Sequence, residues 1–212
     1  MATDEFGEPI HRLFVPMLDP CTMKIPRNQL ITYNEEKQVS QLQMTTMRQP
    51  VPFPDASTVV IRIDGACRGN GTPHARASYG IYAGPNSRHN TNGLVHPSAP
   101  QTSTRAEIEA LSHALDTIHD ITKADFKLSR IKVATDSSFL VNAMSTWIEG
   151  WIENGGYNAE GKRVAHFNRL NELHERLDEM EYGDDGGIEI QFWHIPREMN
   201  READALANAA FS

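Results

Sequence analysis

Cysteine is nearly absent from this sequence. Cys21 and Cys67 are the two it has, which gives no disulfide framework and no zinc-binding spacing, so a reducing environment is the default. Long apolar runs are missing too. Hydrophobic residues make up 39% of the chain, and no stretch approaches the roughly 18 consecutive apolar residues of a membrane span. The first residues, Met1-Ala2-Thr3-Asp4-Glu5, carry neither a basic nor an apolar segment, so no secretory signal is read there. An intracellular location, nuclear or cytoplasmic and away from membranes, is the expectation. A basic excess is also lacking. At a net charge of −8 the chain does not hold nucleic acid by counterion release over its whole surface. A local basic patch, or a site where metal ions reverse the local sign, stays open.

What is present is uneven. The length of 212 residues suits one domain with an appendage. Residues 1–55 hold Pro9, Pro16, Pro20, Pro26, Pro50, Pro52 and Pro54 between polar runs, which argues against an independent helical module. The short apolar patches Arg12-Leu13-Phe14-Val15 and Gln29-Leu30-Ile31-Thr32-Tyr33 are read as strands or as segments draped over the domain. The segment is therefore a Pro-rich N-terminal extension, a linker or packing arm, and the regular domain occupies 56–212.

The regular part begins with Val59-Val60-Ile61-Arg62-Ile63-Asp64-Gly65, a β-rich run stopping at an Asp-Gly turn. A glycine-rich turn over 65–71 follows, then strands at 77–83 and 91–95; such close spacing predicts an antiparallel meander. A helix opens near Thr102-Ser103-Thr104, with Ser103 and Thr104 as plausible caps, and buries Ile108, Leu111, Ala114, Leu115 and Ile118. Lys132-Val133-Ala134-Thr135-Asp136 is again a strand ending in an acid, expected to run parallel to the first. A short helix is expected over 137–147, a loop over 154–163 and a helix over 164–180. A turn over 183–187, a strand over 188–194 and a last helix capped by Asn200 complete the chain.

Four carboxylates stand out. Asp64, Glu107, Asp136 and Asp204 each lie at a strand end or early in a helix, among apolar residues rather than in a charge run. Singly, each has a bland reading as a cap or turn residue. If they converge without Lys or Arg, they repel and their pKa values rise; divalent metal relieves this. Carboxylate-only ligands suit hard ions such as Mg²⁺ or Mn²⁺ rather than zinc, and a pair of such ions can clamp a phosphodiester. A phosphate loop at 65–71 is a poor reading, because the Gly-Lys-Ser/Thr ending is missing.

Together these stretches resemble the type 1 ribonuclease H family. Asp64-Gly65-Ala66-Cys67-Arg68-Gly69-Asn70, Thr104-Arg105-Ala106-Glu107, Thr135-Asp136-Ser137-Ser138 and Asn200-Arg201-Glu202-Ala203-Asp204 are similar to its four motifs, in order and over about 58–212. The resemblance implies an α/β ribonuclease H-like fold, a five-stranded mixed sheet flanked by helices. It implies hydrolysis of the RNA strand of RNA–DNA hybrids with two Mg²⁺ or Mn²⁺ ions, by a monomer. Asp64, Glu107, Asp136 and Asp204 would be the catalytic metal ligands. Cys67, Arg68, Gly69, Asn70, Thr102 and Ser103 would touch substrate, with Asn70 and Thr102 in a DNA-phosphate pocket. Trp147 would line the DNA channel or be a core residue. Residues 147–164 resemble a handle-like substrate-binding protrusion, here neutral because Glu149, Glu153 and Glu160 balance Lys162, Arg163 and Arg169. A Gly-His loop before the last acid is not recognisable, as in the archaeal and plant-like branch, and His194 is the candidate assistant. Residues 1–55 lack the aromatic and basic pattern of a hybrid-binding module. The acidic balance keeps a second expectation open, a hybrid-binding scaffold with weak or no turnover. A 3′–5′ exonuclease on the same fold needs Asp-x-Glu at the first strand and finds Asp64-Gly65-Ala66 instead.

Overall fold

The structure is a computed structural model that describes residues 12–184 and 187–212. The extension before Arg12, with Pro9 and the five leading residues, and the centre of the expected 183–187 turn therefore lie outside the described residues. Three strands come from the proline-rich segment: β1 (Ile31–Asn34), β2 (Val39–Met44) and the short β3 (Phe53–Pro54). Five more follow: β4 (Thr58–Arg68), β5 (Arg76–Tyr82), β6 (Thr91–Leu94), β7 (Arg130–Thr135) and β8 (Glu189–His194). The helices are α1 (Ser103–Ala124), α2 (Ser138–Asn142), α3 (Ile148–Glu153), α4 (Phe167–Tyr182) and α5 (Arg201–Ala209).

The expected mixed α/β sheet is borne out. β4, β5 and β6 form the antiparallel meander, while β7 runs parallel to β4 and β8 parallel to β7. These are the five strands the resemblance implies, but the sheet is eight-stranded. β2 pairs with β4 at Ser40↔Val60, and β1 and β3 both pair with β2.

Strand alternation divides the core. Val59, Ile61 and Ile63 of β4 join Ile131, Val133, Ile190 and Phe192 under the apolar stripes of α1 and α4. Val60, Ala134 and Trp193 face the other way, where Phe14, Ile25, Leu30 and Leu42 of the N-terminal segment cover them. That segment also runs beside the outer strand: Leu13 bridges Phe192 in parallel, and the Phe14 N–H donates to Phe192 O at 2.9 Å. Residues 12–44 thus form a packing arm that crosses one face of the sheet from β8 to β2.

The arm is anchored by charge as well. Arg12, 4% exposed, donates to Glu181 Oε2 from Nε at 2.9 Å and from Nη2 at 2.6 Å, and reaches Asp178 and His174. Burial is the main cause that raises the Glu181 carboxyl, and the Arg12 charge opposes it. Breaking a buried pair on one side leaves an uncompensated charge. Arg12→Met is therefore expected to lower stability by about 3 kcal/mol in chemical denaturation. A loss under about 0.5 kcal/mol, the ordinary size for a surface substitution, would contradict this anchoring role.

Some local expectations differ from the structure. β4 does not stop at Asp64 but continues through Arg68, because β5 supplies a ladder partner for every residue from Arg62 to Arg68. Residues 137–147 are not one helix: α2 gives way to a π-helical turn, Ala143–Trp147, which runs into α3. The 164–180 helix starts later, at Phe167, after His166 in a left-handed conformation at φ 61°. α1 is capped by Thr102 rather than Ser103 or Thr104, its Oγ1 accepting from the Arg105 N–H at 3.1 Å.

Candidate active site

The four acids meet at one end of the sheet. Parallel register pairs Arg62 with Ala134, so Asp64 and Asp136, each two residues on, lie at the same level on the same face. Open α/β sheets place their sites at such carboxyl ends. Two glycines bring in the others. A Cβ on Gly65 would lie 2.3 Å from the Glu107 backbone nitrogen, so the N-terminal turn of α1 rests directly on β4 there. Across the ladder Asp64 pairs with Gly80. A Cβ on Gly80 would lie 2.3 Å from Ala203 O and 2.4 Å from Ala207 N, so α5 rests on β5 beside Asp204. Glycine in mid-strand often marks close backbone approach, and here it sets the spacing of the site.

Each acid has a defined surrounding. Asp64 Oδ1 accepts from the Gly65 N–H at 2.9 Å. Burial first, then the charge of Asp136, and further the proximity of Asp204, push its pKa up to about 7. Glu107 is also raised, chiefly by burial and then by Asp136, while a hydrogen bond donated by Ser137 Oγ opposes the shift. Asp136 Oδ1 accepts from Asn200 Nδ2 at 2.7 Å. Asp204 lies 3.5 Å from the exposed Arg197 guanidinium. Among the described residues that is the one salt bridge to any of the four acids.

Asn200 does more than the sequence suggests. Its side chain makes no cap bond to α5. It is 1% exposed, and Nδ2 donates both to Asp136 and to Ile63 O, at 3.0 Å, immediately before Asp64. The asparagine thus ties the middle of β4, the residue after β7 and the start of α5 to one another. Ser137 plays a similar part, donating to Glu107 and accepting from the Leu140 N–H at 3.2 Å. Neither link is legible from spacing, although an isolated glycine inside a strand pattern, as at Gly80, is a signal of close approach.

The donor set suits a hard divalent ion: carboxylate oxygens, poorly neutralised, in a half-buried cleft. Among the described residues no three His, Cys, Asp or Glu side chains close around one point. Mg²⁺ keeps several waters and is bound through one or two carboxylates plus substrate phosphates, so neighbouring acids such as Asp64 with Asp136, and Asp136 with Glu107, are the donors open to it. The residues therefore fit such a group.

The remaining candidates have surroundings of their own. Cys67 and Arg68 are in β4, and Gly69 turns the chain at φ 66°. Asn70 Nδ2 donates to Ser103 Oγ at 3.2 Å, joining the turn to the start of α1 beside Thr102. Cys67 Sγ lies 3.5 Å from Gln101 O. Trp147 is 41% exposed and packs obliquely on Trp151, ring centroids 5.7 Å apart. His194 ends β8, exposed, opposite Thr135. Among the described residues no hydrogen bond or ion pair joins it to the acids. In the protrusion, Lys162 pairs with Glu160 at 2.9 Å, while Arg169 is turned inward to Glu109 and Glu172.

A group of partly buried acids where the parallel strands of a mixed sheet end, with helices braced on glycine-bearing strands, defines an α/β domain of the ribonuclease H type. The comparisons agree. The sequence model of the RNase H family matches residues 56–212. The chain is 36% identical to Ribonuclease H1 of Rattus norvegicus over 155 residues, covering 71% of this chain and 49% of that protein. It is 32% identical to Ribonuclease H of Roseobacter denitrificans over 152 residues, covering 70% and 92%. Among solved structures it is similar to LC11-RNase H1, isolated from compost by a metagenomic approach: TM-score 0.52, 25% identity, 73% of this chain and 95% of that one. The foamy viral protease-reverse transcriptase in complex with dsDNA shares the fold, at TM-score 0.55 and 20% identity, over 71% of this chain and 92% of that one. This chain belongs to the ribonuclease H family, which generally uses divalent metal ions. It spans about half the length of the mammalian relatives it matches. No helix among the described residues is long and apolar enough to cross a membrane.

Proposed function

We propose that this protein is an endoribonuclease that hydrolyses the RNA strand of RNA–DNA hybrids, with two Mg²⁺ or Mn²⁺ ions held by Asp64, Glu107, Asp136 and Asp204. The convergence of these four acids, almost uncompensated by cations, is the observation that carries the reading. Leaving such a cluster in a half-buried cleft is costly unless its charge has a use. When bound, the ions supply an activated water and Lewis-acid stabilisation of the phosphoryl oxygens. The chain's own residues set the frame. Asp64 is fixed by the Gly65 N–H, Asn200 holds Asp136, and Ser137 holds Glu107. Residues 56–212 carry this machinery, and the N-terminal segment packs as its brace. The turn at Cys67–Asn70 and the start of α1 at Thr102–Ser103 form the surface where 2′-hydroxyls and phosphates are read, since RNA-containing duplexes are recognised across the minor groove by shape and 2′-OH contacts. Trp147 lines the same cleft, and His194 assists from the end of β8.

Four end-labelled duplexes of one sequence test this: RNA–DNA with the label on either strand, RNA–RNA, and DNA–DNA. Cutting confined to the RNA strand of the hybrid is expected. Cutting of the DNA strand or equal cutting of RNA–RNA would refute the hybrid reading. Tight hybrid binding without cutting would promote the scaffold reading, which the near-neutral protrusion favours.

A further inference from the structure

Within the protrusion, 147–164, Lys162 is paired with Glu160 and Arg163 is the one exposed cation outside any salt bridge among the described residues, so further cations are needed for a grip on an acidic substrate. At the far end of the β4–β5 hairpin, Arg68 and Arg76 are direct cross-strand partners. Both are exposed, and among the described residues neither takes part in a salt bridge. Like charges directly opposite one another destabilise an antiparallel pair. In a chain with 28 acidic residues against 20 Lys and Arg, an acid opposite either arginine would be the more stable arrangement at this ladder position.

The pair is also aimed. Arg68 lies four residues beyond Asp64 on the same strand, hence on the same face and about 13 Å away at strand rise. Its guanidinium is held over the Phe211 ring at 4.4 Å from the centroid, on the side where α5 ends. Arg76, opposite it, has no such hold. The two cations therefore sit together on one side of the acids, along the same face of the sheet, one fixed and one adjustable.

We infer that Arg68 and Arg76 together form a phosphate clamp for the backbone of the duplex that enters the cleft, with Arg76 as the previously unassigned half. This rests on the function proposed above and extends its substrate surface beyond the Cys67–Asn70 turn. A bound phosphate would replace the repulsion between the two guanidinium groups by two charge-assisted hydrogen bonds.

The test uses the full chain carrying Asp64→Asn to prevent turnover, with hybrid affinity measured between about 0.05 and 0.2 M salt. Arg76→Gln is expected to weaken binding roughly three- to tenfold near 0.1 M salt. The slope of log K against log salt should become shallower by about 0.7–0.9, the loss of one phosphate contact. On the otherwise native chain, KM should rise and kcat at saturating hybrid stay unchanged. Arg76→Glu adds a readout that a structural role would not give. It should raise the melting temperature by pairing with Arg68 while weakening hybrid binding further. An unchanged salt slope and affinity in both variants, when the Asp64→Asn background binds hybrid and the native chain cuts it, would overturn the clamp alone. A parent that neither binds nor cuts hybrid would overturn the clamp and the proposed function together.

Discussion

Asp64→Asn is expected to abolish hybrid cleavage and, at pH 8 without divalent metal, to make the protein more stable. The two effects have one cause. The asparagine keeps the acceptor that meets the Gly65 N–H at 2.9 Å, so the strand end keeps its shape. It loses the charge that would hold metal, and a rate loss of at least about a thousandfold, roughly 4 kcal/mol in the barrier, is expected. The stability gain follows from proton linkage. The Asp64 pKa is raised from 3.8 to about 7 by burial and by Asp136 and Asp204. A carboxyl whose folded pKa lies above its unfolded value holds its proton more tightly in the native state, so stability is lost as pH rises from about 4 through about 7. Above that window the whole penalty is present, on the order of 2–4 kcal/mol, and the asparagine removes it. Melting curves in chelator should show the variant several degrees above the parent at pH 8. At pH 4 the two should coincide. Mg²⁺ should stabilise the parent at pH 8 and do less for the variant. A variant less stable than the parent at pH 8 would show that Asp64 is compensated in some other way.

Gly80→Ala is expected to damage both stability and activity from a site that touches no substrate. Its Cβ would meet the α5 backbone, Ala203 O and Ala207 N, at 2.3 and 2.4 Å. Neither contact is the far end of a flexible side chain, so the helix or the strand has to move. Overpacking of this kind costs about 1–3 kcal/mol, a drop of about 2–12 °C in melting temperature for a chain of this size. Because α5 carries Asp204 and starts at Asn200, which holds Asp136, the displacement reaches the site. Rate at saturating hybrid should fall more than tenfold in the fraction that stays folded. Gly71→Ala serves as the control, since a Cβ there meets nothing within 4 Å. At φ 81° it should cost stability only through backbone strain. Equal losses in the two variants would argue that packing of α5 on Gly80 does not set the geometry of the acids.

The positions of two acids are readable from the apolar β-rich runs 59–64 and 132–136, which place Asp64 and Asp136 side by side just past the last parallel β4–β7 pair, Arg62 with Ala134, although β4 itself does not end there. The stripe of α1 was readable from its period. The continuation of β4 through Arg68 was not, since Gly-Ala-Cys-Arg has little strand preference of its own and is held by its ladder with β5. The arm was hidden for a related reason. Its apolar patches are short and separated by prolines, and their value appears only against Val60, Ala134 and Trp193 on the second face of the sheet. Asn200 looked like a helix cap from its position, whereas its amide is spent on Ile63 and Asp136. What sequence spacing carries is which acids lie at element ends. What it omits is the pair of glycines and the buried amide that bring those ends together.

The central claim is that four acids form a divalent-metal nuclease centre, and the most direct measurement is RNA-strand cleavage of a labelled hybrid as Mg²⁺ or Mn²⁺ is titrated into chelated, folded protein. The account predicts no cutting in chelator, onset with added metal, and no onset at any metal concentration for Asp64→Asn. Cutting that persists in chelator, or none at any metal concentration from a parent whose melting curve shows it folded, would contradict it.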